Sequence, residues 1–284
     1  MAPHRQIRHA MLIGAAALVL SLSDGACSLG MAQGKLDARY VVTLGGLAVG
    51  RGSWAVDIGD DHFSTTASGA TAGLMRVFAS GQGQSAARGT VSGGQLIPAS
   101  YTSSISTDQK YDEVRMSLNA GSVKEFVAEP PNTPSPNRVP LTEAHRRGVS
   151  DPITAALLRV PGMGDLFVPQ ACQRKLAVFD GRMRYDLQLS FKRLERVRAE
   201  KGYQGTALVC GLQFIPIAGH MPDRAAIKYI AELRDIEVWA APIAGTRVMA
   251  PYRVSFPTPI GTGVMQATQF LSVPHPSKTT ATTQ

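Results

Sequence analysis

Apolar and polar residues alternate with a period of two in one segment of this chain after another. Val114, Met116 and Leu118 fall on one side while Glu113, Arg115 and Ser117 fall on the other. Tyr185, Leu187, Leu189 and Phe191 alternate with Arg184, Asp186, Gln188, Ser190 and Lys192, and Tyr252, Val254 and Phe256 with Arg253 and Ser255. Successive side chains of a strand point to opposite faces, so this patterning specifies sheets with one buried and one wet face. A doubly wound parallel sheet would instead show continuous Val/Ile runs between helices, and the sequence has none.

Turn residues divide the pattern into elements. Strands are predicted at 36–44 and 47–58 around Gly45-Gly46, a dipeptide that enters a tight hairpin because Gly accepts positive φ. Gly59-Asp60-Asp61 leads to a strand at 62–68, and the spacing of Leu74, Val77 and Phe78 predicts a short helix within 69–79. Further strands follow at 82–91, 97–107, 111–119 and 123–129 in a meander rhythm. Residues 130–150 carry Pro130, Pro131, Pro134, Pro136 and Pro140 and predict an extended excursion, since proline cannot donate to a ladder. Asp151 as N-cap and Pro152 at the first helical position open a helix predicted over 151–160, with Ile153, Ala156, Leu157 and Val160 as its apolar stripe. This helix is read as a plug or lid against the concave side of the sheet. The strand pattern resumes around Asp180-Gly181 in the same style, so 33–273 is read as a single domain. The expected fold is mainly β: one large curved antiparallel sheet, an open or spiral half-barrel, with one or two short helices against its concave face. Pro274, Pro276 and a Thr-rich end predict a disordered tail over 274–284.

Composition fits this picture. The 284 residues are 44% hydrophobic and 18% charged, with 28 Gly and 18 Pro, which favours strands joined by many turns over long solvent-facing helices. The formal charge of +8 invites a nucleic-acid reading. The arginines are scattered through alternating strands, however, and the densest basic run, 192–198, is broken by Leu194 and Glu195. A basic surface near anionic lipid or peptidoglycan explains the charge as well, and no nucleic-acid partner is expected.

The first 32 residues read as a secretory signal. His4, Arg5, Arg8 and His9 form a basic start, 11–22 is an apolar run too short to span a bilayer comfortably, and Gly30-Met31-Ala32 offers a cleavage site after Ala32. Lipidation at Cys27 is disfavoured by Asp24 three positions earlier, where an aliphatic residue is expected. Export to the periplasm follows, with no transmembrane segment once the signal is removed. Cys172 and Cys210 then remain as an even pair in an oxidising compartment, which predicts a structural disulfide. A redox pair would sit as Cys-x-x-Cys, and zinc needs further ligands at short spacing.

The sequence names no reaction. Gly-x-Ser-x-Gly, Ser-x-x-Lys and His-Glu-x-x-His are missing, and Gly81-Gln82-Gly83 and Gly261-Thr262-Gly263 lack the third glycine and following helix of a phosphate cradle. No metal or cofactor is expected. The most unusual stretch is 178–185. Asp180-Gly181 is a hairpin signal, and Asp180, Arg182, Arg184 and Tyr185 around one turn are also a candidate grip for an anionic or sugar group. His220, before Met221-Pro222, reads as a loop histidine or as an acid–base partner to that group.

Several ordered motifs resemble a known family. The run Arg146-Arg147-Gly148-Val149-Ser150-Asp151-Pro152-Ile153-Thr154-Ala155-Ala156-Leu157 is one. Cys172 ahead of 178–187, Cys210 followed by Pro216-Ile217-Ala218-Gly219, and Val238-Trp239-Ala240-Ala241-Pro242 are the others. Over roughly 40–270 the chain resembles the proteobacterial domain of unknown function 3108 family. The resemblance implies an exported envelope protein and brings no catalytic residue. The strand-rich pattern with an inner helix is also similar, in architecture alone, to periplasmic lipoprotein-localisation factors and to spiral-sheet envelope-integrity proteins of alphaproteobacteria. The leading expectation is a non-enzymatic periplasmic protein that supports the envelope by binding a lipid, lipoprotein or protein partner. The alternative is an enzyme on envelope glycan or lipid, using Asp180, Arg182, Arg184 and His220.

Overall fold

The computed structural model describes residues 33–73, 80–132 and 134–275. The expected leader (1–32), residues 74–79 of the expected 69–79 helix and 276–284 of the expected tail lie outside them. The chain forms a meander of β1 (Gly34–Leu44), β2 (Leu47–Ile58), β3 (His62–Thr71), β4 (Gly81–Ser92), β5 (Gln95–Thr107), β6 (Tyr111–Asn119) and β7 (Ser122–Glu129). After a long connection come β8 (Leu158–Arg159), β9 (Arg174–Phe179), β10 (Arg184–Arg198), β11 (Lys201–Gly202), β12 (Gln204–Ala218), β13 (Ile236–Pro242), β14 (Val248–Thr258) and β15 (Gly261–Pro274). They make one sheet in the order β7-β6-β5-β4-β3-β2-β1-β15-β14-β13-β12-β10-β9, with β11 attached to β15 and β8 to β14. Every ladder is antiparallel except β11–β15.

The sheet is not closed by a ladder between its outer strands, β7 and β9. The segment 147–150 reaches both instead: Arg147 bridges Ser122 of β7, and Ser150 bridges Val178 of β9. Val149 N donates to Gly121 O and Phe179 N to Ser150 O, at 2.9 and 3.0 Å. Phe126 of β7 meets Phe179 of β9 edge-on at 5.5 Å, and Val114, Met116 and Leu118 of β6 bury beside them. A second buried cluster joins Leu36, Tyr40, Trp54 and Phe63 to Val209, Trp239, Tyr252 and Phe270. The disulfide between Cys172 and Cys210 ties the loop before β9 to the middle of β12.

The helix expected over 151–160 is shorter than its sequence suggests. Asp151 caps α1 as expected, its Oδ1 accepting from Ile153 N and Thr154 N at 3.1 and 2.9 Å. The helix nevertheless covers only Pro152–Ala155. Leu158 and Arg159 are drawn into β8 opposite Met249 and Val248, and a chain that pairs with β14 cannot continue its helical ladder. α1 packs on β3, β4 and β9. Residues 69–71 belong to β3, where Gly69 and Ala70 pair with Gly83 and Gln82 of β4. The Pro-rich connection contains a 3-10 turn, Glu143–Arg146, and pairs Val139 with the end of β12, so it is extended only in part. β15 runs to Pro274, one residue past the expected 273, and His275 bonds Asp57 at 2.8 Å. A second helix, α2 (Ala225–Glu232), was not foreseen.

Candidate functional site

The turn at 180–183 is held from several sides. Asp180 Oδ1 accepts from the main-chain N of Arg182 and Met183 at 2.8 and 2.6 Å, which closes the turn. Burial pushes the Asp180 carboxyl above its ordinary value, against the pull of those backbone donors. Gly181 adopts φ +90°, and a Cβ there would lie 2.3 Å from Val114 Cγ1 of β6. Arg182 spreads its guanidinium over three residues outside its own hairpin. Nε donates to Asp112 Oδ1 at 3.2 Å with an ion pair to Oδ2 at 3.0 Å, and Nη1 reaches Pro130 O and Asn132 Oδ1 at 3.1 and 3.0 Å. The predicted anion grip is therefore occupied by the protein itself, as a latch from the β9–β10 turn to β6 and the loop after β7.

The other candidates disperse. Arg184 pairs with Asp186 at 2.6 Å, and Lys175 completes that buried carboxylate's partners at 3.3 Å. Alternation along β10 sends Tyr185 to the opposite face, where its ring lies 5.0 Å from Phe214; burial raises its phenol. His220 is buried beside the turn, because Gly219 packs against the Arg182 backbone so closely that a Cβ would lie 2.1 Å from Arg182 O. Its carbonyl accepts from Val139 N at 2.9 Å, and burial holds its imidazole below the usual histidine range. These residues knit the seam where the two ends of the sheet approach each other and do not surround a common hollow.

A different part of the sheet has room for a ligand. A cavity of about 330 Å³ lies between the β9–β14 part of the sheet and the two helices. Cross-strand register builds its wall: Leu176 faces Leu187, Leu189 faces Leu212, Leu212 faces Ile236, and Cys210 faces Val238, which faces Val254. Directly opposed residues share a sheet face, so these side chains form one continuous apolar surface. Ala155, Ala156 and Leu158 line it at the end of α1 and the start of β8. Ile230 and Leu233, on and just after α2, cover the remaining side. α2 is a loose cover: none of its residues is buried, and Arg224 at its start supplies no side-chain cap. The disulfide fixes one wall, since Cys210 lines the cavity while its partner anchors the loop before β9.

Larger hollows, about 600 and 690 Å³, lie along β2–β6. Their floor includes the cross-strand row Ser53, Ser68, Gln84, Ser104 and Glu113, short polar groups on a solvent-open groove. Ligand pockets are mostly apolar, so the smaller cavity under α2 is the better candidate. Its wall was half legible in the sequence through the alternation of Leu187 and Leu189. The cover was not, although Ile227 and Ile230 with Ala226 and Ala231 carry a helical spacing that would have located α2.

No helix among the described residues is long and apolar enough to cross a membrane. A family profile described as "Protein of unknown function (DUF3108)" matches residues 39–268. No curated protein matches the chain. Among solved structures, a beta-barrel-like protein of domain of unknown function DUF1849 from Brucella abortus superposes with a TM-score of 0.46 at 6% identity, covering 86% of this chain and 98% of that one.

Proposed function

The chain belongs to the DUF3108 family, and from that premise we propose that it is an exported, non-enzymatic protein of the cell envelope that houses the apolar chain of a lipid or lipid-bearing partner. One observation carries this reading: a cavity of about 330 Å³ walled by Leu, Ile and Val, roofed by a helix that buries none of its own residues. The volume sits near the lower end of the range for small-molecule sites, which suits one hydrocarbon chain. Each methylene taken from water contributes about 0.8 kcal/mol, so a modest length of chain gives useful affinity without any polar contact. The leader-like first 32 residues and the disulfide support residence outside the cytoplasm.

The test is native mass spectrometry of protein isolated from its own periplasm, alongside the Val238→Phe variant, whose added ring occupies the cavity. Acyl adducts on the unaltered protein that vanish in the variant support the reading. Repeated preparations free of any acyl adduct, from cells in which the protein is abundant, refute it.

A further inference from the structure

Arg174 opens β9, and its main-chain N donates to Cys172 O at 3.0 Å, so the disulfide holds it in place beside the cavity wall. Register puts it opposite Leu189, and period two puts it on the same face as Leu176; both leucines line the cavity. The Arg174 guanidinium makes no hydrogen bond or ion pair among the described residues, although the residue is only partly exposed. Asp186 of β10 pairs with Lys175 and Arg184 on the opposite face of the sheet, so it offers Arg174 no counter-charge. A second cation, Arg159, lies near enough to repel it and is itself spent on Gly93 O at 2.8 Å. Burial, and then that repulsion, lower the Arg174 pKa from its usual value. A partly buried cation beside another cation, with no internal partner, costs folding free energy unless an anion from outside completes it.

We propose that Arg174 is the headgroup anchor of the cavity, binding the carboxylate or phosphate of a single-chain anionic amphiphile whose hydrocarbon tail lies against Leu176, Leu189 and Leu212. This rests on the acyl-site reading above and adds the charge and the single chain. The guanidinium fork suits either oxyanion, since both present paired acceptors to its planar donors.

The experiment titrates the full-length protein, unaltered and as Arg174→Gln and Arg174→Lys, with dodecanoate, dodecyl phosphate, dodecan-1-ol and inorganic phosphate by calorimetry. The unaltered protein is expected to bind the anionic chains at least about tenfold more tightly than the alcohol, the worth of a charged hydrogen bond. Arg174→Gln should erase that preference while keeping the alcohol's affinity, and Arg174→Lys should keep part of it. The unliganded Arg174→Gln protein should melt at the same temperature or higher, because it loses an unpaired cation and no contact; a purely structural arginine would give a lower one. Equal affinity for acid and alcohol, or a preference that survives Arg174→Gln, overturns the anchor and leaves the acyl cavity standing. Inorganic phosphate binding as tightly as dodecyl phosphate overturns the amphiphile. Failure of all three chains to bind overturns both readings.

Discussion

Replacing Arg182 by alanine separates a latch from a ligand grip. The guanidinium holds Asp112 through Nε at 3.2 Å and an ion pair at 3.0 Å, and Pro130 O and Asn132 through Nη1 at 3.1 and 3.0 Å. The Arg182 and Asp112 side chains are 22% and 44% exposed, so solvent screens the pair and its share is about 1 kcal/mol or less. The contacts to the carbonyl and the amide come from the same charged donor and contribute about 1.5 kcal/mol together after desolvation. The Arg182→Ala protein should therefore unfold about 1.5–2.5 kcal/mol more easily in urea, with the Asp112→Asn partner giving a coupling of about 1 kcal/mol or less in a double-mutant cycle. Because the lost contacts join the β9–β10 turn to β6, amide exchange should quicken first at the seam, in 112–116 and 177–183. A loss below about 0.5 kcal/mol, the ordinary size for an idle surface residue, would refute the latch.

Three further outcomes follow from other contacts. Replacing both Cys172 and Cys210 by serine frees a loop of sequence separation 38 and should cost about 4 kcal/mol by the chain-entropy relation; an unchanged urea midpoint would show that the crosslink constrains nothing. Gly181→Ala must accept φ +90° and a Cβ 2.3 Å from Val114, so a loss of about 1–3 kcal/mol is expected, most of it recovered by adding Val114→Ala only if the clash outweighs the backbone strain. Burial lowers the His220 pKa in the folded protein, so the unfolded chain binds its proton first; stability should fall as pH drops below about 6.5 and continue to fall until the folded pKa is passed. His220→Gln should flatten that part of the urea-midpoint profile, and an unaltered profile would remove His220 from its cause.

Much of the meander was readable because local chemistry and global topology agree there. Gly45-Gly46 and Gly93-Gly94 adopt positive φ in the turns that their composition demands, and β2 and β6 keep the boundaries that alternation predicts. The helix after Asp151 was half readable: the cap is a local signal, whereas its early end depends on the distant partner Val248. The wall of the cavity was visible strand by strand, yet its assembly depends on register. In β14 the sequence places Tyr252, Val254 and Phe256 on one face, but a register shift opposite Trp239 and Ala240 leaves Tyr252 in the buried cluster with Phe270 while Val254 and Phe256 line the cavity. Arg182 and Arg184 carried the composition of a ligand site, and which acids would satisfy them is a tertiary fact. The isolation of Arg174 is tertiary in the same sense, because only the strand register shows that Asp186 of the paired strand lies on the other face.

The pairing of β1 with β15 sets a timetable for the molecule. Its central ladder, from Gly34 opposite Pro274 to Leu44 opposite Gly263, joins the earliest strand to the last one. As the chain emerges in order the first seven strands can zip into hairpins, yet one flank of β1 stays bare until the final hairpin has followed. Until then that flank is a template for any extended chain nearby. A polypeptide ending before residue 261 would keep it bare for good, and such fragments should accumulate as aggregates and protease substrates rather than as soluble half-molecules.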